Sequence, residues 1–188
     1  MEPINTVVTS KDEILKTCRE IVAENGLAAV NMRDVAKRCH IALGSLYYYF
    51  SGKDDLVLET IGSVWVSIFH MDQPCRPGAS FPDRVEWIFE SVRNSAGQYP
   101  NFLTAHSLGF ATAEKGKAKS IMEEYLKHMR AGMTEALDAD AAVRRDAFSE
   151  TFSEKDFLDF VLSSVLGLLL QQKTDCRVLL EMIRRTIY

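Results

Sequence analysis

The sequence predicts an all-α fold of about nine helices, with a three-helix N-terminal domain over residues 1–52 and a larger helical domain over 53–188. Three observations predict it. Apolar residues recur at i, i+3, i+4, i+7 in segment after segment, the spacing of a single helix face. Ser10, Asn31 and Ser153 each stand just ahead of such a segment, with an acidic residue three positions on (Glu13, Asp34, Asp156), as a helix start requires. The breakers fall between segments, at Asn25-Gly26, within DQPCRPGASFP and at Tyr99-Pro100. With 188 residues, 47% of them hydrophobic, the chain has ample side chains for a core.

Residues 1–9 read as a flexible lead without Lys or Arg. Ser10 and Glu13 form a capping box that opens a helix with Ile14, Cys18, Ile21 and Val22 on one face, ending at Asn25-Gly26. This helix reads as packing support for the helix pair after it. Residues 31–53, NMRDVAKRCHIALGSLYYYFSGK, read as two short helices joined by a tight turn and the start of a third. In the first, Met32, Val35, Ala36 and Cys39 share a face, Asn31 caps it and Asp34 suits its positive end. In the second, Leu46 and Phe50 lie four apart, with Ile41 in the turn able to join them. The opposite side carries Gly44, Ser45, Tyr47 and Tyr48. LYYYF as an aromatic core helix is disfavoured, because three consecutive tyrosines cannot all face inward.

Small residues at the leading end, followed by tyrosines, suit a helix whose N-terminal part enters the DNA major groove. Gly44 and Ser45 allow close approach, and the hydroxyls of Ser45, Tyr47 and Tyr48 can reach phosphates or base edges. Lys53 opens the next helix, where its charge and free backbone N–H groups can meet one phosphate together. The run MRDVAKRCHIALGSLYYYFSGKDDLV resembles the DNA-binding signature of the tetracycline-repressor (TetR) family: Arg-Asp-Val-Ala, a small-Ser-Leu-Tyr recognition helix, a closing aromatic, and Lys53 with Leu56 three residues on. About fifty N-terminal residues carry the resemblance. It implies a helix-turn-helix DNA-binding domain followed by a ligand-binding and dimerisation domain. The DNA-binding residues it implies are Arg33, Leu43, Gly44, Ser45, Tyr47, Tyr48, Tyr49 and Lys53.

Two positions depart from that pattern, His40 where the turn usually has Gly and Ala42 where a Ser or Thr usually caps the recognition helix. His tolerates positive φ, so the turn can form; the missing cap costs about 1 kcal/mol locally. Leu43, at an often polar position, can touch a thymine methyl but cannot hydrogen-bond a base.

From residue 53 to about 71 runs a helix acidic at its start (Asp54, Asp55), with no charged side chain between Glu59 and Asp72, and so buried on more than one side. The resemblance gives it the task of linking ligand to DNA-binding head. Helices follow over 81–97, 101–113 and 116–137, the last with Ile121, Tyr125, Met129 and Met133 at four-residue steps. Residues 138–151 are polar, fitting one helical turn and a loop. Ser153 caps a helix through residue 173 that is apolar all round, with thirteen uncharged residues from Phe160 to Gln172, and a last helix spans 175–188. The all-apolar helix is either a buried centre or a self-association face opened by the small Ser163, Ser164 and Gly167. The family pairs its last two helices with their copies, which implies a dimer interface of Leu158, Leu162, Ser163, Leu166, Gly167, Leu170, Leu179, Met182, Ile183 and Thr186.

Net charge is −4, which argues against a general nucleic-acid coat protein, yet Arg33, Lys37, Arg38 and Lys53 face only Asp34 within 31–53. The four cysteines are scattered, and the N-terminus has no signal-peptide pattern, as expected of a reduced cytoplasmic protein. No motif suggests catalysis, a cofactor or a metal, so no enzyme is expected. Trp65, Phe69, Trp87, Phe102, His106, Phe110, Tyr125 and Met129 are candidates to line a pocket for a largely apolar or aromatic small molecule, although core packing is the favoured reading for any single one of them. His106, between Phe102 and Phe110, must have its polar tip satisfied by the core or by a ligand. The expected function is therefore a ligand-responsive, homodimeric repressor on a palindromic DNA operator. The alternative is a ligand-binding or interaction protein that keeps the helix-turn-helix as a scaffold.

Overall fold

The computed structural model describes residues 9–69, 75–103 and 116–188, the side chains of residues 116–122 and 125 excepted. Among the described residues the regular structure is helical: α1 (Lys11–Asn25), α2 (Met32–Arg38), α3 (Leu43–Tyr49), α4 (Lys53–Phe69), α5 (Phe81–Ala96), α6 (Gly116–Ala139), α7 (Glu154–Leu170) and α8 (Arg177–Ile187). All but residues 101–103 of the helix expected over 101–113 lies outside the described residues. The chain divides into two compact units, residues 1–67 with 98–122, and residues 68–97 with 123–188.

The starts follow local chemistry. In α1 the Ser10 hydroxyl accepts the Glu13 N–H at 3.1 Å, and the Glu13 carboxylate accepts the Ser10 N–H at 3.0 Å. Asn31 caps α2 by accepting from Asp34 N–H at 3.0 Å, and Ser153 caps α7 from Asp156 N–H at 3.1 Å. Ser80 and Asp83 form a second capping box, and α5 starts at Phe81, as the expected helix over 81–97 does.

In the first unit, Ile14, Cys18, Ile21 and Val22 of α1 are buried with Val30, Met32, Val35, Leu46 and Phe50. Six consecutive residues of α4, Thr60 to Trp65, are buried, as the uncharged run requires of a helix covered on more than one side. Trp65 packs edge-on against Phe102, ring centres 5.2 Å apart.

In the second unit, α5 packs on α7 and α8. Met129, Met133 and Leu137 of α6 are buried, as are Phe157, Leu158, Val161, Leu162, Val165 and Leu169 of α7. The polar stretch after α6 holds a 3-10 turn (Arg145–Ala147) and an isolated antiparallel bridge between Ser149 and Phe152. Phe148 stacks on Phe152 at 5.9 Å, and both rings meet Phe157 at 5.8 Å. Asp140 accepts hydrogen bonds from Phe81 N–H (2.8 Å), Ala142 N–H (3.0 Å) and the Tyr188 hydroxyl (2.5 Å). Burial raises the Asp140 carboxyl's pKa, but these bonds and the nearby Arg145 outweigh it and hold the group below the usual carboxylate range. Burial, then the bond to Asp140, pushes the Tyr188 hydroxyl above the ordinary tyrosine range.

Candidate nucleic-acid interface

Between α2 and α3 the backbone must reverse within a few residues. Cys39 N–H bonds to the Val35 carbonyl at 2.9 Å and Ile41 N–H to the Ala36 carbonyl at 3.0 Å, while His40 takes φ +53°. The left-handed position normally given to Gly is thus filled by His, as the turn demands. Ala42 is the N-cap residue of α3, in extended backbone with no side-chain hydrogen bond.

Leu46 and Phe50 of α3 turn inward and are buried, which fixes what faces out. Leu43, Gly44 and Ser45 are exposed at the leading end, with Tyr47 53% and Tyr48 85% exposed behind them. Leaving two large rings in water on a seven-residue helix forgoes the burial that a purely structural helix would use. Nothing within 4 Å would meet a side chain at Gly44, so packing within the chain does not require a glycine there. Tyr49 lies differently from its neighbours: it is half-buried, donates its hydroxyl to the Thr9 carbonyl at 2.7 Å and meets Tyr48 edge-on. It therefore holds the lead of α1 instead of joining the outward face.

Of the local cations, Arg38 is paired with Glu24 at 2.8 Å; this bond holds the Glu24 carboxyl below its usual range and the Arg38 guanidinium above. Arg33 and Lys53 are exposed, as is Lys37. Beside the paired Arg38, the segment 31–53 thus carries three exposed cations, Arg33, Lys37 and Lys53.

Trp65, Phe69, Phe102 and Met129 of the expected pocket are buried, and Trp87 is half-buried with the Arg84 guanidinium 5.3 Å from its ring centre. His106, Phe110 and the side chain of Tyr125 lie outside the described residues. An open cavity of about 510 Å³ is present instead on the second unit, lined among others by Cys75, Arg76, Arg84, Glu135 and Asp140, and by none of the eight candidates.

The ten expected interface residues separate into two sets. Leu158, Leu162, Leu179 and Ile183 are buried in their own unit's core; Ser163, Leu170, Met182 and Thr186 are exposed, and Leu166 and Gly167 are half-covered. Two apolar residues outside that set lie on the exposed side, Phe160 (55% exposed) and Val178 (76%). Phe160 stands three and seven residues before Ser163 and Gly167, so helical spacing carried the signal.

No helix among the described residues is long and apolar enough to cross a membrane. Residues 14–60 match the profile of bacterial regulatory proteins of the tetR family. Over 112 residues the chain is 26% identical to the HTH-type transcriptional repressor KstR of Mycolicibacterium smegmatis, covering 59% of this chain and 55% of that protein. The chain thus spans about half the length of this curated relative. A TetR-family transcriptional regulator from Rhodococcus sp. has the same fold at TM-score 0.63 and 18% identity, over 94% of this chain and 97% of that one. BioQ, solved with its natural double-stranded DNA operator, matches at TM-score 0.55 and 16% identity, over 94% and 89%. Residues 14–60 thus carry the domain of the tetR-family profile, and the fold of the chain is that of the solved Rhodococcus regulator.

Proposed function

We propose that this protein is a cytoplasmic, homodimeric transcriptional repressor that binds a palindromic double-stranded DNA operator through residues 1–52 and releases it when residues 53–188 bind a small, largely apolar or aromatic molecule. The observation that carries the reading is the outward face of α3. Leu43, Gly44, Ser45, Tyr47 and Tyr48 are held exposed by two buried anchors, Leu46 and Phe50, with Arg33 and Lys53 alongside. Hydroxyls and a small leading turn suit base edges, and the cations suit phosphates. The relatives' names, a repressor and a protein seen on its operator, support the same reading.

A palindrome requires two heads about 34–36 Å apart, or a multiple. The exposed side of α7 and α8, with Phe160, Leu170, Val178 and Met182 around Ser163 and Gly167, supports pairing with a second copy. Adaptable, apolar α4 supports an effector of similar character, acting only through its difference in affinity for two states.

Selection of bound duplexes from random DNA, followed by salt titration of the winner, tests the reading. A repressor recovers a palindrome and loses affinity steeply as salt rises. Tyr47→Phe and Lys53→Met each weaken binding with the fold intact. A chain that binds no duplex at any ionic strength ends the proposal.

A further inference from the structure

The recognition helix is held from an unexpected place, the segment just before and at the start of α1. Lys11 Nζ lies 3.0 Å from Glu59 Oε1 of α4, and the same ammonium stands 5.4 Å from the centre of the Phe50 ring, which closes α3. Two residues earlier, the Thr9 carbonyl accepts the Tyr49 hydroxyl. Thr9 is fixed in turn, since its own hydroxyl and the Ser10 N–H both donate to the Glu13 carboxylate, at 3.3 and 3.0 Å. The tail of α3 and the middle of α4 are thus gripped from one short segment, Thr9 to Lys11. Farther along α1 and α4, the Arg19 guanidinium donates to the Ser63 hydroxyl and the Cys18 thiol meets the Thr60 hydroxyl. These polar links set the register of α4 on α1, which its nearly featureless apolar surface cannot do.

Two roles compete for Lys11. A lysine beside a recognition helix is an obvious phosphate contact. Its geometry says otherwise: the ammonium already faces a carboxylate only 11% exposed and a ring that is buried, so turning to a phosphate would leave Glu59 without that counter-charge. We infer that Lys11 is a positioning residue for DNA recognition, setting the angle at which α3 meets the groove by holding Phe50 and Glu59 from one point. The inference rests on the DNA-binding reading above.

The test uses the full-length chain, the duplex recovered by selection and an unrelated duplex of equal length, with Lys11→Met, Glu59→Gln and the double variant. Each single variant is expected to lose about fivefold or more in affinity for the selected duplex, with little change on the unrelated one. The double variant is expected to lose no more than the worse single, because both remove the same link. The salt slope stays at the wild-type value in all three, since no phosphate contact is lost. A slope reduced by about one in Lys11→Met but not in Glu59→Gln makes Lys11 a phosphate contact and overturns the inference, as do variants that bind like the wild type. Where a single variant melts early, the exchanged pair (Lys11→Glu with Glu59→Lys) decides: positioning predicts recovered affinity, and a phosphate contact predicts none. A wild-type chain that selects no DNA overturns the DNA-binding reading and this inference together. A wild type that binds, with variants that show the other pattern, overturns the positioning role alone.

Discussion

Replacing Ala42 by Ser is expected to stabilise the reading head. Ala42 sits at φ −65°, ψ 145°, close to the backbone of Ser80 and Ser153, which both cap their helices with a side-chain oxygen. In those two the hydroxyl accepts the N–H three residues on, at 3.4 and 3.1 Å. A serine hydroxyl at position 42 would share the Ser45 N–H, which already donates to the Ala42 carbonyl at 2.9 Å. Because that donor is already bonded, the gain expected is at the low end for a cap, about 0.5 kcal/mol. For a chain of this size it corresponds to a rise of about 1–2 °C in unfolding midpoint, read by far-UV circular dichroism. Affinity for the selected duplex should change less than about twofold, because a first turn already formed in most molecules leaves little to pre-organise. A midpoint unchanged or lowered, with helix content intact, would show that the missing cap is not what limits this helix. An affinity gain well beyond twofold would show instead that the first turn is frayed in the free protein.

Three further outcomes rest on particular contacts. His40→Gly should raise stability by about 0.5–1 kcal/mol in urea unfolding, since relief of a side chain at φ +53° outweighs glycine's greater chain entropy. If the proposed dimer forms through α7 and α8, Gly167→Arg should turn it into helical monomers by light scattering, since nothing within 4 Å among the described residues of its own chain opposes a side chain there. Asp140→Asn should cost about 1 kcal/mol at neutral pH, discounted for partial exposure. Because the folded carboxyl is held below its usual range, its contribution is present above about pH 4 and lost as pH falls through the folded value. The urea midpoints of wild type and variant should therefore converge in acid.

What was legible in the sequence was local. The caps at Ser10, Asn31 and Ser153 depend on neighbours three residues away, and His40 in the left-handed turn is dictated by two short helices with no room between them. The outward Tyr47 and Tyr48 are set by the four-residue step between Leu46 and Phe50. What was not legible depends on distant partners. Tyr49 is recruited by Thr9, forty residues earlier, and Glu59 by Lys11; neither carries a motif. The loop after α6 gains its 3-10 turn and bridge from rings of Phe148 and Phe152 packed on Phe157. The apolar run of α7 left open whether the helix is a buried centre or a self-association face, and did not tell which side its own core takes. Leu158 and Leu162 turn inward and are buried, while Phe160 is left on the open side.

The departures from the family pattern all fall at one end of α3. His40, Ala42 and Leu43 stand at the leading end, which has a strained turn, no side-chain cap and an apolar first residue. The trailing end is held four ways, by the buried Phe50 ring, the Tyr49 bond to Thr9, the Lys11 ammonium over Phe50 and the Lys11 bond to Glu59. A short helix fixed at its tail and lightly held at its tip has its docking angle set by the tail. Its first turn is left to adjust to the base edges it meets. That division assigns different jobs to residues only a few positions apart. Substitutions at the tail should alter affinity for every good operator alike, whereas substitutions at Leu43, Gly44 and Ser45 should alter which operator is good. The weak electrostatics of the head favour the same arrangement: with Arg38 tied to Glu24, few free cations remain to tolerate a misplaced helix, so correct placement has to come from within the fold.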